Sequence, residues 1–260
     1  MITVIYSIII FCATFLGAFV GLGGGVIIKP LLDLKGKDSI DAVNFISCCA
    51  VFSMSISSTI KHITAKTKFD FKFIITLSIG AVAGGIAGSS LFDYLLTIFD
   101  NAALKAIQGI ILGILLVASV VYVNLKNAKS FKLKNPIGIV LAGLTLGFTA
   151  SFLGVGGGPI NVAFLVLFFS MTMKEAAIYS VATIFFSQLS KLITMGVNHT
   201  VPSVSIITLA AAIVCAVLGG LIGAKMNKRF NDKIIKAVFT VVVGAVALVS
   251  FYNAIALFIK

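Results

Sequence analysis

Ten apolar segments follow one another along this chain, and charged residues fall almost entirely between them. They lie at about 2–20, 24–34, 42–62, 71–95, 103–124, 137–153, 159–172, 174–195, 203–225 and 234–258. Most approach the ~20 residues that a helix needs to cross a bilayer core. Only 11% of the 260 residues are charged and 60% are hydrophobic, whereas a soluble domain carries roughly a quarter charged residues. Too little polar surface remains to cover a water-soluble globule. The expected fold is all-α, a polytopic membrane protein. Two segments, 24–34 and 159–172, are short and each follows a glycine cluster. At about 1.5 Å per residue they reach only half to two thirds of the core.

Internal repetition sets the organisation. GLGGGVIIKPLL at 21–32 answers GVGGGPINVAFL at 154–165, and AVAGGIAG at 81–88 answers AVLGGLIG at 216–223. LKAI at 104–107 answers IKAV at 235–238. The offsets are 133, 135 and 131 residues, in the same order along the chain. This predicts a first transmembrane repeat over 1–128, a linker over 129–135 and a second repeat over 136–260. Each repeat is read as four long helices plus one short glycine-broken helix.

The charges orient the halves. Thirteen of the 20 Lys and Arg residues sit in 61–72, 126–134 and 225–236, as in cytoplasmic loops. No basic helix with interleaved aromatics is present, so nucleic acid is not the expected partner of the +12 charge; a lipid bilayer is. The loop after the third segment is basic in the first half, and its counterpart MGVNHTVPS has no Lys or Arg. Equivalent loops of opposite bias predict two inverted repeats. If each glycine-broken pair is a hairpin, all basic loops become cytoplasmic and both termini lie outside, in a cytoplasmic (inner) membrane. The oligomeric state is left open.

The glycine clusters carry the functional expectation. Four glycines in five residues do not sustain a helix, at about 1 kcal/mol each against alanine. A break at membrane depth is tolerated where it is buried or lines a cavity. Each break opens a new helix whose first N–H groups lack partners and whose dipole end is positive. Pro159 suits the first position of such a helix. Two such ends facing one centre select a small anion. The substrate-binding candidates are Gly23, Gly24 and Gly25, and Gly156, Gly157 and Gly158. Lys29, Asn44, Ser47, Asn161, Ser180 and Thr183 join them as the polar groups of the adjoining helices. Ser47 and Ser180 are equivalent at the offset of 133. Lys29 can equally snorkel to the surface, and span hydroxyls often bond their own backbone. Gly84, Gly85, Gly88, Gly219, Gly220 and Gly223 read as helix-packing positions. His62 and His199 read as solvated loop residues.

Other chemistries lack their groups. No strand–GxGxxG unit or Lys-Ser/Thr pair accompanies the glycines, which removes the nucleotide reading. The acidic residues fall in loops or at span ends, and Cys12, Cys48, Cys49 and Cys215 form no CxxC. No catalytic constellation, metal site or cofactor is expected. Cys48 and Cys49 have no assigned role.

A duplicated apolar helix ending in G-x-G-G-G and followed by a short helix resembles the sulfite exporter TauE/SafE family of membrane permeases. The resemblance spans the chain as a tandem repeat. It implies transport of sulfur-containing oxyanions such as sulfite, thiosulfate or organosulfonates. The expected function is a secondary transporter for such an anion, working by alternating access. A passive anion channel is the alternative, followed by a membrane-embedded assembly factor or enzyme.

Overall fold

A computed structural model describes residues 2–33, 40–64, 70–99, 101–125, 129–153, 158–197 and 201–259. Among these residues there are ten helices and no strand. They are α1 (Ile2–Val20), α2 (Gly25–Asp33), α3 (Ile40–Thr64), α4 (Phe71–Ile98), α5 (Asn101–Asn124), α6 (Pro136–Phe152), α7 (Gly158–Phe169), α8 (Met173–Val197), α9 (Ile206–Arg229) and α10 (Asp232–Ile259). Seven are long and apolar enough to cross a membrane. α6, with 17 residues, stands at the lower limit for a span, and α2 and α7, with 9 and 12, fall short of it. The chain is a polytopic helical membrane protein. Ile206, Ile207, Val241 and Leu248 are 71–82% exposed on the outside of the bundle, where lipid rather than water is the solvent.

The helix starts are written locally. Asp70 accepts from the Phe73 N–H at 3.0 Å and caps α4. Asn135 accepts from the Ile137 N–H at 3.1 Å, with Pro136 at the first position of α6. α8 opens with a capping box: the Thr172 N–H donates to Glu175 Oε2 at 3.0 Å, and the Glu175 N–H donates to Thr172 Oγ1 at 3.2 Å.

Small residues then set how the helices pair. On α4, a Cβ at Gly80, Gly84 or Gly88 would run into the backbone carbonyls of Val140, Leu144 or Phe148 on α6. In return, Gly143 and Gly147 lie against Leu77 and Ala81. Spacings of four keep these glycines on one face of each helix. Backbones brought this close gain dispersion and Cα–H···O contacts, the main attraction available between apolar helices in lipid. Gly219 and Gly223 of α9 lie in the same way against Phe11 and Phe15 of α1. α1 and α9 run side by side in one direction, from Thr3 Oγ1 beside Thr208 Oγ1 (3.2 Å) to the Asn227 amide on the Phe19 carbonyl (2.9 Å). α5 packs against α10, where Asn124 Nδ2 donates to Thr240 Oγ1 at 2.8 Å.

The three basic stretches meet at one end of the bundle, around the start of α8. The Asp70 N–H donates to Tyr179 Oη at 2.9 Å. Lys174 Nζ donates to the carbonyls of Lys228 (2.8 Å) and Phe230 (3.2 Å), and its N–H to Asp232 Oδ1 (2.9 Å). In the linker, the N–H groups of Phe131 and Leu133 donate to Leu167 and Phe168 at 2.9 and 2.8 Å. We call this the basic end, and the end at which α4 and α8 finish the far end.

Candidate functional site

The helix break after α1 is real and glycine-dependent. Gly21, Gly23 and Gly24 have φ of +83°, +74° and +74°, the left-handed region that side chains with a Cβ resist. The Gly24 carbonyl accepts from the N–H groups of Ile27 and Ile28, both at 2.9 Å, and so starts α2. The cluster is folded back on its own helix: a Cβ at Gly24 would stand 3.2 Å from the Ala13 carbonyl oxygen.

The other face of the cluster meets the second half. A Cβ at Gly158, the first residue of α7, would overlap the Leu22 carbonyl. One at Gly21 would strike the backbone of Ala177 on α8, and one at Gly23 would lie 2.5 Å from Ile184 Cδ1. Ser180 fastens the junction. Its hydroxyl is fully buried and donates to the Gly21 carbonyl at 2.7 Å, with the Gly158 carbonyl at 3.5 Å. The first cluster, the α7 N-terminus and Ser180 are therefore one contiguous piece of structure in the interior.

The remaining candidates take different places. Asn161, in the first turn of α7, is 4% exposed, and its Oδ1 is sealed without a partner. The amide can accept a donor as it stands, or meet an acceptor after a half-turn. Thr183 is buried but donates to its own helix, to the Tyr179 carbonyl at 2.9 Å. Ser47 is buried and Asn44 half-buried on α3. Gly25 is the first residue of α2. Lys29 lies on α2, with its side chain outside the described residues, as are Gly156 and Gly157.

Carbonyls freed where helices stop are met by side-chain amides that sequence reasoning missed. Asn227 donates to the Phe19 carbonyl near the end of α1, and Gln108 donates to the Phe152 carbonyl at the end of α6. His62 corrects an expectation. It is 2% exposed, inside the last turn of α3, with Nε2 sealed and unpartnered. Lys61 beside it is exposed, and the neighbouring lysines made the whole stretch look like loop. The spacing of Ser55, Ser58 and His62 on one helical face was the readable signal; Ser55 and Ser58 are both fully buried. His199 lies outside the described residues. Among the described residues no group of His, Cys, Asp or Glu could hold a metal ion.

Two short helices, one opened by a left-handed glycine turn and packed against the start of the other, fit the broken-helix plan of membrane transporters. The sequence model of the sulfite exporter TauE/SafE family matches residues 6–250, and the chain belongs to that family. It is 25% identical over 269 residues to the "Probable membrane transporter protein YunE" of Bacillus subtilis, covering 92% of this chain and 93% of the relative. It is 24% identical over 256 residues to the "Probable membrane transporter protein MJ0441" of Methanocaldococcus jannaschii, covering 92% and 91%. These likenesses point to a transporter rather than an enzyme.

Proposed function

We propose that this transporter moves a small sulfur-containing oxyanion, such as sulfite, thiosulfate or an organosulfonate, across the cytoplasmic membrane. It does so as a secondary transporter, by alternating access between two inverted halves spanning 1–128 and 136–260, joined by the 129–135 linker. The observation that carries the reading is the junction of the first glycine cluster with the α7 N-terminus, with Asn161 in the first turn of α7, whose Oδ1 is unpartnered and whose amide, turned over, presents its N–H groups there. Helix N-termini offer free N–H groups and a positive dipole end at about 0.3–2 kcal/mol per interaction, so several must act together. Gly23–Gly25, Asn44, Ser47, Lys29, Gly156–Gly158 and Asn161 are the binding set, and Thr183, whose proton goes to the Tyr179 carbonyl, lines it. Ser180 positions the Gly21 turn, since its proton is committed to that carbonyl.

The basic end faces the cytoplasm, because Lys and Arg are retained there. Both termini then face outside. Impermeant maleimide labelling of single cysteines tests this: residues 127–133 and 228–233 label from the cytoplasmic side, and residues 197–201 from outside. Labelling of 228–233 and 127–133 from opposite sides removes the inverted arrangement.

The anion itself is tested with purified protein. Thermal shift against sulfite, sulfate, thiosulfate and sulfonates picks the ligand, and counterflow in proteoliposomes reads transport. Saturable uptake with counterflow is expected. Conduction without counterflow makes the protein a channel, and indifference to every sulfur oxyanion ends the substrate assignment.

A further inference from the structure

Two helix seams correspond through the sequence repeat and differ in the structure. Gly220 of α9 lies against the later part of α3. A Cβ there would stand 2.5 Å from Ser57 Oγ and 2.8 Å from the Met54 carbonyl oxygen. Ser57 Oγ donates to the Met54 carbonyl of its own helix at 2.9 Å, with the Val217 carbonyl across the seam at 3.3 Å. In the first half, Gly85 of α4 answers Gly220, and α8 answers α3. A Cβ at Gly85 would meet Ser151 Oγ at 3.1 Å and the Gly147 carbonyl oxygen at 4.0 Å, both on α6, and no atom of α8 within 4 Å. α4 and α8 touch at the basic end, where the rings of Phe73 and Tyr179 stand 5.3 Å apart. α4 meets α8 less extensively than α9 meets α3.

Burial follows the same split. On α3, Ser58 and His62 are 0% and 2% exposed. Their repeat counterparts on α8 are Lys191, which is exposed, and Met195, which is half-buried. On these helices the buried polar atoms without a partner are Ser58 Oγ, Thr59 Oγ1 and His62 Nε2 on the last turns of α3 and Asn227 Oδ1 on the last turn of α9, against Ser78 Oγ alone on α4. Each such group costs about 1–3 kcal/mol when sealed without a hydrogen bond. A second state of the protein that wets them accounts for their presence.

We propose that the α3–α9 seam is the closed gate of the permeation route at the basic end. Ser58, His62 and Asn227 line the route behind it, and the sparser α4–α8 seam is the corresponding gate in its open position. The proposal rests on the alternating-access reading and names its moving contact. Opening breaks the Ser57–Val217 contact, lifts Met54 off Gly220, and admits water to those three groups. The other gate closes by bringing α8 onto Gly85, which is free to receive it.

The test needs no substrate. In a background without the four native cysteines, Ser58→Cys and Lys191→Cys are each exposed to a small charged thiol reagent, with the protein in nanodiscs so that both sides are reachable. Lys191→Cys reacts readily and Ser58→Cys roughly tenfold or more slower, the factor reporting how rarely the gate opens. Adding Gly220→Ala speeds Ser58→Cys severalfold, because its Cβ wedges the seam; Gly85→Ala does not. Ser57→Ala, which removes the cross-seam contact together with the bond to the Met54 carbonyl on its own helix, gives a smaller rise and stands in if Gly220→Ala does not fold. Equal reactivity of the two cysteines, or a Ser58→Cys rate indifferent to every seam variant that folds, overturns the gate. Sulfite counterflow with flat labelling sinks the gate alone. Responsive labelling with no anion transported sinks the substrate reading alone.

Discussion

The α4–α6 seam and the α3–α9 seam both place glycine against a neighbouring backbone, yet they are built differently. Along α4–α6 five glycines interlock from both sides: Gly80, Gly84 and Gly88 against Gly143 and Gly147. Backbone lies directly against each of these five glycines, so the contact has little room for a second arrangement. Across α3–α9 the contact at Gly220 is mixed: the Met54 carbonyl lies under it, but so do the Ser57 hydroxyl and the Met54 side chain, which can turn away. A helix pair zipped by backbone on both faces is a fixed scaffold; a pair held at one glycine, partly through side chains, has less to stop it sliding.

The variants that test this contrast rank by how much each disturbs. Gly84→Val or Gly147→Val has the largest effect, since the side chain meets a carbonyl that cannot retreat. Loss of the monodisperse peak in size-exclusion chromatography is expected, and a folded, active variant breaks the fixed-scaffold view. Gly24→Val comes next. At φ +74° valine is strained by about 1–3 kcal/mol, so the protein inserts but does not transport. Uptake above a tenth of wild type removes the turn from the site. Ser180→Ala follows: it leaves the buried Gly21 carbonyl without its donor, costing about 1–3 kcal/mol and weakening affinity through the displaced turn; Ser47→Ala, a direct donor in the proposed site, weakens affinity by about 1.5–3 kcal/mol, the range for a hydrogen bond that involves a charge. Isothermal titration reads both. If Lys29→Met eliminates binding while both serine variants retain it, a single charge replaces the helix-end model. Gly85→Ala is the smallest, within about 0.5 kcal/mol of wild-type stability, because its nearest neighbour is the end of Ser151 at 3.1 Å.

What the sequence revealed follows from what each signal measures. Apolar length and glycine breaks gave ten segments that match the ten helices, including both short ones, because spanning length and loss of helix propensity are local properties. The packing reading of Gly84 and Gly219 was legible for the same reason: small residues four apart have few other uses in a membrane. The role of Ser180 was not legible, since its partner Gly21 lies 159 residues away in the chain and hydroxyls usually bond their own turn. Asn227 was hidden in a stretch of five basic residues that reads as loop, though α9 carries it inside. His62 was misread likewise. Charge density marks where water begins on average, while one helical face continues inward past that level.

The linker between the halves has a consequence of its own. Phe131 and Leu133 hydrogen-bond to the last turn of α7, and Phe131 stacks on Phe168 with ring centroids 5.6 Å apart. A tandem duplication begins with a joint that merely tethers two self-sufficient copies; here the joint itself completes the carbonyl ladder at the end of α7. Co-expressed halves severed at 126–128, upstream of the strap, therefore reassemble, whereas halves severed at 131–133 do not. On the two-repeat reading proposed above, fusion of the halves becomes irreversible in this way, because a structural duty has passed to the segment that joins them.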